Sequence, residues 1–184
     1  MRIVGGEFRG RPLATPRGSS IRPTSDRTRE AVFNVIAHRF GDRLAGARVI
    51  DLFAGTGALG LEALSRGASF CMFVEESTEG RGLLRANVEA LGLTGRTKIF
   101  RRDTTKLGQV GTISPFNLLF ADPPYGKGLG EKALVSARAG GWLQPRALCV
   151  LEESATVALA PIPDFELVEQ RSYGETIVHF LMNV

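Results

Sequence analysis

The chain has 184 residues, of which 43% are hydrophobic, and this is enough to bury the core of one globular domain. No stretch approaches the ~18 apolar residues of a membrane span, and the first residues lack the apolar run of a secretion signal, so we expect a soluble, cytoplasmic protein with no membrane partner. The formal net charge is +4, but residues 1–50 contain ten arginines and only four acids, which places all the positive excess in the first quarter of the chain.

The segment over residues 5–24 is rich in Gly, Pro, Arg, Ser and Thr. It has too few apolar side chains to form a core, and we expect an extended or hairpin-like arm. An Arg-rich arm beside a nearly neutral body is what binding to a phosphate backbone requires, although a merely solvated arm has the same composition. Removing its arginines should hardly affect stability. The candidate phosphate contacts are Arg9, Arg11, Arg17 and Arg22.

A helix is predicted over residues 25–40. A Pro-Thr-Ser sequence marks its start, and apolar residues from Val32 to Phe40 recur at helical spacing, which gives the helix one buried face. Arg27 and Arg29 are predicted to lie off that face.

From Arg48 onward, short apolar runs alternate with helical stretches, which is typical of a parallel sheet covered by helices on both faces. Helices are predicted to begin near Gly57, Thr78 and Leu129. The last twenty residues form two alternating runs around Tyr173-Gly174 and indicate an antiparallel hairpin. The runs predicted to be parallel strands are RVIDLF, SFCMFVE, TKIFRRD, NLLFAD and RALCVLEE.

A glycine-rich turn follows the first of these strands. Gly55, Gly57 and Gly60 permit a tight turn and let a ligand approach the backbone at the start of a helix. A bulky side chain at Gly57 is expected to occupy the path of that ligand. The glycine spacing also satisfies the dinucleotide fingerprint, so the glycines alone leave NAD open.

Acidic residues end three of the predicted strands. Asp51 lies four residues before Gly55, where a carboxylate suits a ligand with an ammonium and a sulfonium and would repel a pyrophosphate. Glu75 is placed to accept hydrogen bonds from ribose hydroxyls, and its neighbour Glu76 is interpreted as a solvated residue. Asp103 is a candidate acceptor for an adenine amino group, but it is equally typical of a helix N-cap.

Asp122-Pro123-Pro124-Tyr125 follows a predicted buried strand. Two prolines make a rigid turn, and ligands bind at the carboxyl ends of parallel strands. An exocyclic base amine is a poor nucleophile, so a site that methylates it must hold its N–H groups with acceptors. Asp122 and the Pro123 carbonyl provide such acceptors, and Tyr125 can stack on the base once the base has left its helix or loop.

Cys71 and Cys149 lie in apolar runs and are predicted to be small buried side chains rather than a disulfide or metal ligands. His38 and His179 are far apart in the chain, with no ligand at metal spacing. We therefore expect no metal.

MRIVGGEFRGRPL, IRPTSDRTREAVFNVI, VIDLFAGTGALGLEALSRGA, FVEE and FADPPYG occur in this order. In this combination the whole chain resembles the bacterial RsmD family, the 16S rRNA guanine-N2-methyltransferases. The resemblance implies an α/β, Rossmann-like class I S-adenosylmethionine-dependent methyltransferase, with a mostly parallel seven-stranded sheet. The single domain over residues 1–184 would comprise a basic arm (1–24), a leading helix (25–40) and a core (48–184).

The resemblance also implies S-adenosylmethionine as methyl donor, released as S-adenosylhomocysteine. A guanine N2 in 16S rRNA would be the acceptor, either as naked rRNA or within the small ribosomal subunit, and we expect a monomer. Site residues follow by role: catalytic Asp122, Pro123, Pro124 and Tyr125; cofactor-binding Asp51, Phe53, Ala54, Gly55, Gly57, Glu75 and Asp103; RNA-binding Arg9, Arg11, Arg17, Arg22, Thr24 and Asn34.

Four alternatives remain. A DNA adenine or cytosine amino-methyltransferase shares Asp-Pro-Pro-Tyr but usually carries a target-recognition insert, for which 184 residues leave no room. Protein glutamine methyltransferases favour Asn where Asp122 stands. An NAD-dependent oxidoreductase would need a hydride-handling site, and a non-catalytic RNA-binding module would leave Asp122-Pro123-Pro124-Tyr125 without a purpose.

Overall fold

The computed structural model describes residues 1–18 and 24–184. The helices are α1 (Asp26–Arg39), α2 (Ala58–Ser65), α3 (Thr78–Ala90) and α4 (Leu129–Ala139). The strands are β1 (Arg48–Leu52), β2 (Phe70–Val74), β3 (Thr97–Phe100), β4 (Phe116–Ala121), β5 (Leu143–Ser154), β6 (Phe165–Tyr173) and β7 (Thr176–Asn183). None of the helices in these ranges has the length and apolarity needed to cross a bilayer.

The seven strands form one sheet in the order β3-β2-β1-β4-β5-β7-β6. β1 to β5 pair in parallel, while β7 pairs antiparallel with both β5 and β6. The predicted fold class is confirmed, including the C-terminal hairpin, which turns at Gly174 with a left-handed φ of 60°. In register, Leu52, Val74, Phe100, Ala121 and Leu151 lie side by side, so the residues that follow them share one edge of the sheet.

Two hydrophobic cores cover the two faces of the sheet. One core packs α1, α2 and α3 against one face, and the other packs α4 against the opposite face. Alternate residues of β4 point to opposite cores, Phe120 to the first and Leu119 to the second, as the period of two along a strand requires. Cys71 and Cys149 are buried free thiols, one in each core, as predicted.

The leading helix begins one residue later than predicted, because Ser25 acts as the N-cap and accepts a hydrogen bond from the Thr28 N–H. Its buried positions are Arg29, Val32, Phe33 and Ile36. The prediction that Arg29 lies off the buried face is wrong, since Arg29 precedes Val32 and Phe33 by three and four residues and its side chain is fully buried. Arg27 is exposed, as expected.

The prediction that the arm is too polar to pack is also wrong for its first part. Ile3 and Leu13 are buried in the core that contains α1. An antiparallel bridge joins Arg2 to Pro12, so the hairpin-like shape is confirmed. Met1 and Phe8 are partly buried against the same core, and backbone N–H groups of the arm form hydrogen bonds with the body.

Candidate active site

The turn between β1 and α2 contains several glycines, and side chains added at these positions would point in different directions. Gly55 has φ +56°, and a Cβ there would meet open space. Gly57 has φ +83°, and a Cβ there would collide with the Leu84 side chain in the core. The prediction that a side chain at Gly57 occupies the ligand path is therefore wrong, because the open side of the turn lies at Gly55. A Cβ on Gly60 would lie 2.6 Å from Cys71 Sγ, so this glycine allows α2 to approach the sheet closely.

Asp51 is buried beneath this turn, with 1% of its surface exposed. Its Oδ2 accepts a hydrogen bond of 2.9 Å from the Gly60 N–H in the first turn of α2. Burial raises the pKa of Asp51 well above its usual range, the Gly60 hydrogen bond opposes that rise, and the nearby carboxylates of Asp122 and Glu75 add to it. A bound cation would relieve this repulsion.

Glu75 and Asp103 lie at the ends of the next two strands. Glu75 Oε1 accepts a hydrogen bond of 2.7 Å from the Gly55 N–H, and its Oε2 accepts one from Ser77. This carboxylate therefore holds the glycine turn directly, while Glu76 is exposed, as expected. Asp103 accepts from the backbone and hydroxyl of Thr105 as a helical N-cap, and these two bonds lower the pKa of Asp103.

Asp122 follows β4 and meets two other elements. The Thr24 hydroxyl, two residues before α1, lies 3.0 Å from Asp122 Oδ2 and 2.8 Å from Oε2 of Glu152 on β5. Burial raises the pKa of Asp122 to about 6; the Thr24 hydrogen bond opposes the rise, and the Glu153 carboxylate adds to it. The end of the arm therefore meets β4 and β5 where the Thr24 hydroxyl lies between the carboxyl groups of Asp122 and Glu152.

The loop after Asp122 is held from β5. Glu153 Oε1 accepts a hydrogen bond of 2.9 Å from the Gly126 N–H. Tyr125 is 39% exposed, and its hydroxyl lies 3.4 Å from the Thr176 hydroxyl. Partial burial, with Asp122 nearby, raises the pKa of Tyr125 to about 12, so its ring is a neutral phenol with one accessible surface.

The sequence-predicted RNA-binding residues are spread more widely. Arg9 and Arg17 are exposed, whereas the Arg11 guanidinium donates a 2.7 Å hydrogen bond to the Ala90 carbonyl. Arg22 lies outside the described residues. Asn34 is exposed on α1, beside a groove that also contains Arg171. Among the described members of this set, Thr24 is the one that forms a hydrogen bond with Asp122.

Sequence reasoning missed the residues that anchor the arm. Glu62 on α2 accepts hydrogen bonds from the backbone N–H groups of Val4 and Gly5 and from the buried Arg29 guanidinium. On α3, the Asn87 amide exchanges hydrogen bonds with Ala14 and donates to the Thr56 carbonyl of the glycine turn. The arm is thus attached to α2, which follows the glycine turn, and to α3.

Glu152 was also missed, although a signal for it exists. Ala121 pairs with Leu151 in the sheet, so Glu152 stands beside Asp122 at the carboxyl edge. An acid at the carboxyl end of a predicted parallel strand is the same signal that identified Asp51, Glu75 and Asp103.

Within residues 1–18 and 24–184, no group of three or more His, Cys, Asp or Glu side chains is arranged to hold a metal ion. His38 is exposed and His179 is buried on β7. A groove of about 650 Å³ lies beside α4 and contains none of the residues predicted for the cofactor or the base.

The carboxyl edge of the sheet fits a cofactor with positive charge. Gly55 leaves room for a ligand against the backbone, and Asp51, Glu75 and Asp122 supply carboxylates whose mutual repulsion a cation would relieve. S-adenosylmethionine carries an ammonium and a sulfonium, whereas the pyrophosphate of NAD would add negative charge to this site.

This fold and site define a class I methyltransferase dependent on S-adenosylmethionine. Residues 1–182 match the family described as "Conserved hypothetical protein 95". The chain is 37% identical to "Ribosomal RNA small subunit methyltransferase D" of Escherichia coli over 163 residues, which cover 89% of the chain and 79% of that protein. It belongs to this family, the RsmD family.

Two other similarities agree with this assignment. The "Ribosomal RNA small subunit methyltransferase D" of Haemophilus influenzae is 30% identical over 176 residues, which cover 95% of this chain and 89% of that protein. The solved structure of yhhF from Escherichia coli superposes with a TM-score of 0.84 at 32% identity, covering 100% of this chain and 97% of that one.

Proposed function

We propose that this chain methylates the exocyclic N2 amino group of a guanine in small-subunit ribosomal RNA, with S-adenosylhomocysteine as the released product. The observation that carries the proposal is the position of the Asp122 carboxylate at the carboxyl end of β4, in the same acidic group as Asp51 and Glu152. The name of the Escherichia coli relative, a small-subunit rRNA methyltransferase, supports the choice of RNA.

When bound, S-adenosylmethionine supplies an electrophilic methyl group on a sulfonium centre. Asp51 would face its positive charge, Glu75 its ribose hydroxyls and Asp103 its adenine amino group. Gly55 lets it lie against the backbone, while Gly57 acts indirectly by allowing the turn to pack on Leu84. Phe53 and Ala54 lie between Asp51 and Gly55 and complete the proposed wall of the cofactor site.

The acidity of the site favours guanine over adenine and cytosine. Guanine presents two adjacent donors, N1–H and the N2 amino group, whereas the other two bases present an amino donor beside an unprotonated ring nitrogen. The side chains nearest Asp122 include the carboxyl groups of Glu152 and Glu153, and the ionised Asp122 carboxylate, which would receive the base, can only accept hydrogen bonds. Two adjacent donors suit such a site better than a donor beside an acceptor.

Asp122 and Tyr125 divide the work on the base. Asp122 accepts a hydrogen bond from an amino N–H, orients the nitrogen lone pair and takes the proton that the nitrogen loses when it is methylated. The buried Pro123 contributes its carbonyl as a second acceptor, and Pro124 stiffens the turn. The exposed ring of Tyr125 stacks on the extruded base.

The arm would hold the RNA. Arg9, Arg11 and Arg17 on the arm and Asn34 on α1 are the proposed contacts within the described residues, and the sequence adds Arg22. We further propose that the chain acts as a monomer and a single methyltransferase domain. Its partner is 16S rRNA, naked or within an assembling or assembled small subunit.

The test is mass spectrometry of rRNA nucleosides from cells lacking this gene, with the gene restored as wild type or as Asp122→Ala. The N2-methylguanosine content of small-subunit rRNA should fall when the gene is absent, return to its original level with the wild type and stay low with the variant. The purified variant should bind S-adenosylmethionine normally while its kcat falls roughly 10²–10³-fold, by analogy with the loss of one transition-state hydrogen bond. A methylated adenine or cytosine as the product would contradict the proposal.

A further inference from the structure

The Thr24 hydroxyl lies between the carboxyl groups of Asp122 and Glu152. Thr24 Oγ1 lies 3.0 Å from Asp122 Oδ2 and 2.8 Å from Glu152 Oε2. A hydroxyl has one proton to donate and accepts through its lone pairs. If Thr24 donates to one carboxylate, the other carboxyl group must be protonated to make its own hydrogen bond with Thr24.

Burial decides which carboxyl group holds that proton. Glu152 is 3% exposed, whereas Asp122 is only partly buried, at the edge of the site. Removal from water disfavours the charged form, and it does so most at the more deeply buried group. Burial first, and the Asp122 carboxylate second, raise the pKa of Glu152 well above its usual range, and the pKa of Asp122 is raised only to about 6.

We propose that Glu152 is a positioning residue that stays protonated at neutral pH and donates a hydrogen bond to the Thr24 oxygen. This role of Glu152 rests on the proposed function. Thr24 thereby donates its own proton to Asp122 and holds Asp122 as the ionised acceptor of the base amine. In this arrangement Asp122 would accept a hydrogen bond from the base amine through Oδ1, while Oδ2 accepts from Thr24. No bond other than hydrogen bonds changes when the arrangement forms.

The charges around Glu152 agree with this assignment. Acidic or neutral groups predominate on the elements packed against it, and the cation Arg29 is engaged by Glu62 and Asp26. Within residues 1–18 and 24–184, the ionisable groups that face Glu152 are Asp51 on β1, Asp122 after β4, Tyr125 in the following loop and Arg29 on α1. A second negative charge at Glu152 would add to the repulsion already present.

The first test reads protonation in the free enzyme. In protein labelled with ¹³C at the glutamate carboxyl carbons, the resonance missing from Glu152→Gln identifies Glu152. Aspartate labelling and Asp122→Asn identify Asp122 in the same way. At pH 7 the Glu152 carbon should show the chemical shift of a neutral acid and the Asp122 carbon that of a carboxylate. The reverse pattern, or an ionised Glu152, would overturn the proposal.

The second test is the pH dependence of kcat/KM, whose acid limb reports the ionisation of Asp122. Thr24→Val removes a hydrogen bond that stabilises the Asp122 carboxylate, so the acid limb should move to higher pH and kcat/KM at pH 7 should fall roughly 10-fold or more. Thr24→Ser keeps the hydroxyl and should restore the wild-type limb. Equal effects of Val and Ser would contradict a role for the hydroxyl.

The Glu152→Gln variant distinguishes between a neutral and an ionised Glu152 in the wild-type protein. Gln preserves the shape and the donor of the protonated acid, so the acid limb should stay at the wild-type pH. If Glu152 were ionised in the wild type, Gln would remove a repelling charge and move the limb to lower pH, which would overturn the proposal. Melting curves confirm that each variant is folded. An enzyme with the expected ¹³C shifts but no product on rRNA would contradict the proposed function alone.

Discussion

Arg29 on α1 and Glu62 on α2 form an ion pair whose Nε and Oε1 atoms lie 3.2 Å apart, with both side chains fully buried. Without Glu62, the buried Arg29 guanidinium would keep the partly exposed Asp26 carboxylate as an ionic partner, and breaking a buried pair typically costs about 3–5 kcal/mol. Glu62 also receives the backbone N–H groups of Val4 and Gly5. The pair therefore connects α1, α2 and the start of the arm.

We expect Glu62→Ala to lower the free energy of unfolding by about 3–5 kcal/mol and to expose the amides of Val4 and Gly5 to hydrogen exchange. Urea denaturation and amide exchange measure the two effects. Glu89→Ala, at an exposed position of α3, is the matched control and should change stability by less than about 0.5 kcal/mol. Slow exchange of the Val4 amide in Glu62→Ala would show that other contacts hold the arm.

Two alanine substitutions in the glycine turn should have different consequences. Gly57→Ala combines a left-handed φ of +83° with a collision against Leu84, so we expect it to destabilise the protein by several kcal/mol. Gly55→Ala faces open space and should lose only about 1–2 kcal/mol through backbone strain.

In Gly55→Ala the added methyl group lies on the open side of the turn, so S-adenosylmethionine binding should weaken strongly in a protein that remains folded. Denaturation and titration calorimetry give the two quantities, with NAD as the ligand that neither the wild type nor the variant should bind. Unchanged affinity for S-adenosylmethionine in Gly55→Ala would place the cofactor elsewhere.

The acidic site should lower stability at neutral pH. The pKa of Asp122 rises from about 3.8 to about 6 on folding, mainly through burial, so between these values the folded state binds more protons than the unfolded state. Stability therefore falls as the pH rises through this range, and above pH 6 the cost of ionised Asp122 is on the order of 3 kcal/mol.

Asp122→Asn removes this cost, and it should be more stable than the wild type at pH 8 by about 3 kcal/mol, with little difference at pH 4. Denaturant unfolding at both pH values tests this expectation. Asp42→Asn, at an exposed position, should show no such pH-dependent difference. An equal change at both pH values for Asp122→Asn would mean that ionisation is not the cause.

The arm arginines should contribute to RNA affinity by neutralising phosphates. Arg9 and Arg17 are exposed, so the double Arg→Ala variant should keep its stability and reduce RNA affinity with little regard to sequence. The salt slope of log K should fall by about 1 for each phosphate that the variant no longer neutralises. Arg11→Ala should also cost some stability, because Arg11 bonds to the Ala90 carbonyl.

RNA binding measured from low to high salt tests this prediction, with Lys132→Ala on the opposite helical layer as control. A salt slope in the Arg9 and Arg17 variant equal to that of the wild type would leave the arm as a solvated surface.

The elements and their order could be predicted from the sequence because they depend on local interactions. These interactions produce apolar runs of four to eight residues, glycine turns and N-cap serines, each of which involves residues close together in the sequence. The hairpin around Gly174 and the positions of Asp51, Glu75 and Asp122 at strand ends follow from such patterns.

The tertiary structure alone decided how distant residues meet. Thr24 reaches Asp122 and Glu152 across 98 and 128 residues, and no local pattern carries that information. Burial of Arg29 depends on Glu62 facing it from another helix, because a buried guanidinium needs a partner. The direction of Gly57 depends on where Leu84 packs. Local chemistry determined which residues end each strand, whereas packing between elements determined which of their side chains share a proton, a charge or a cavity.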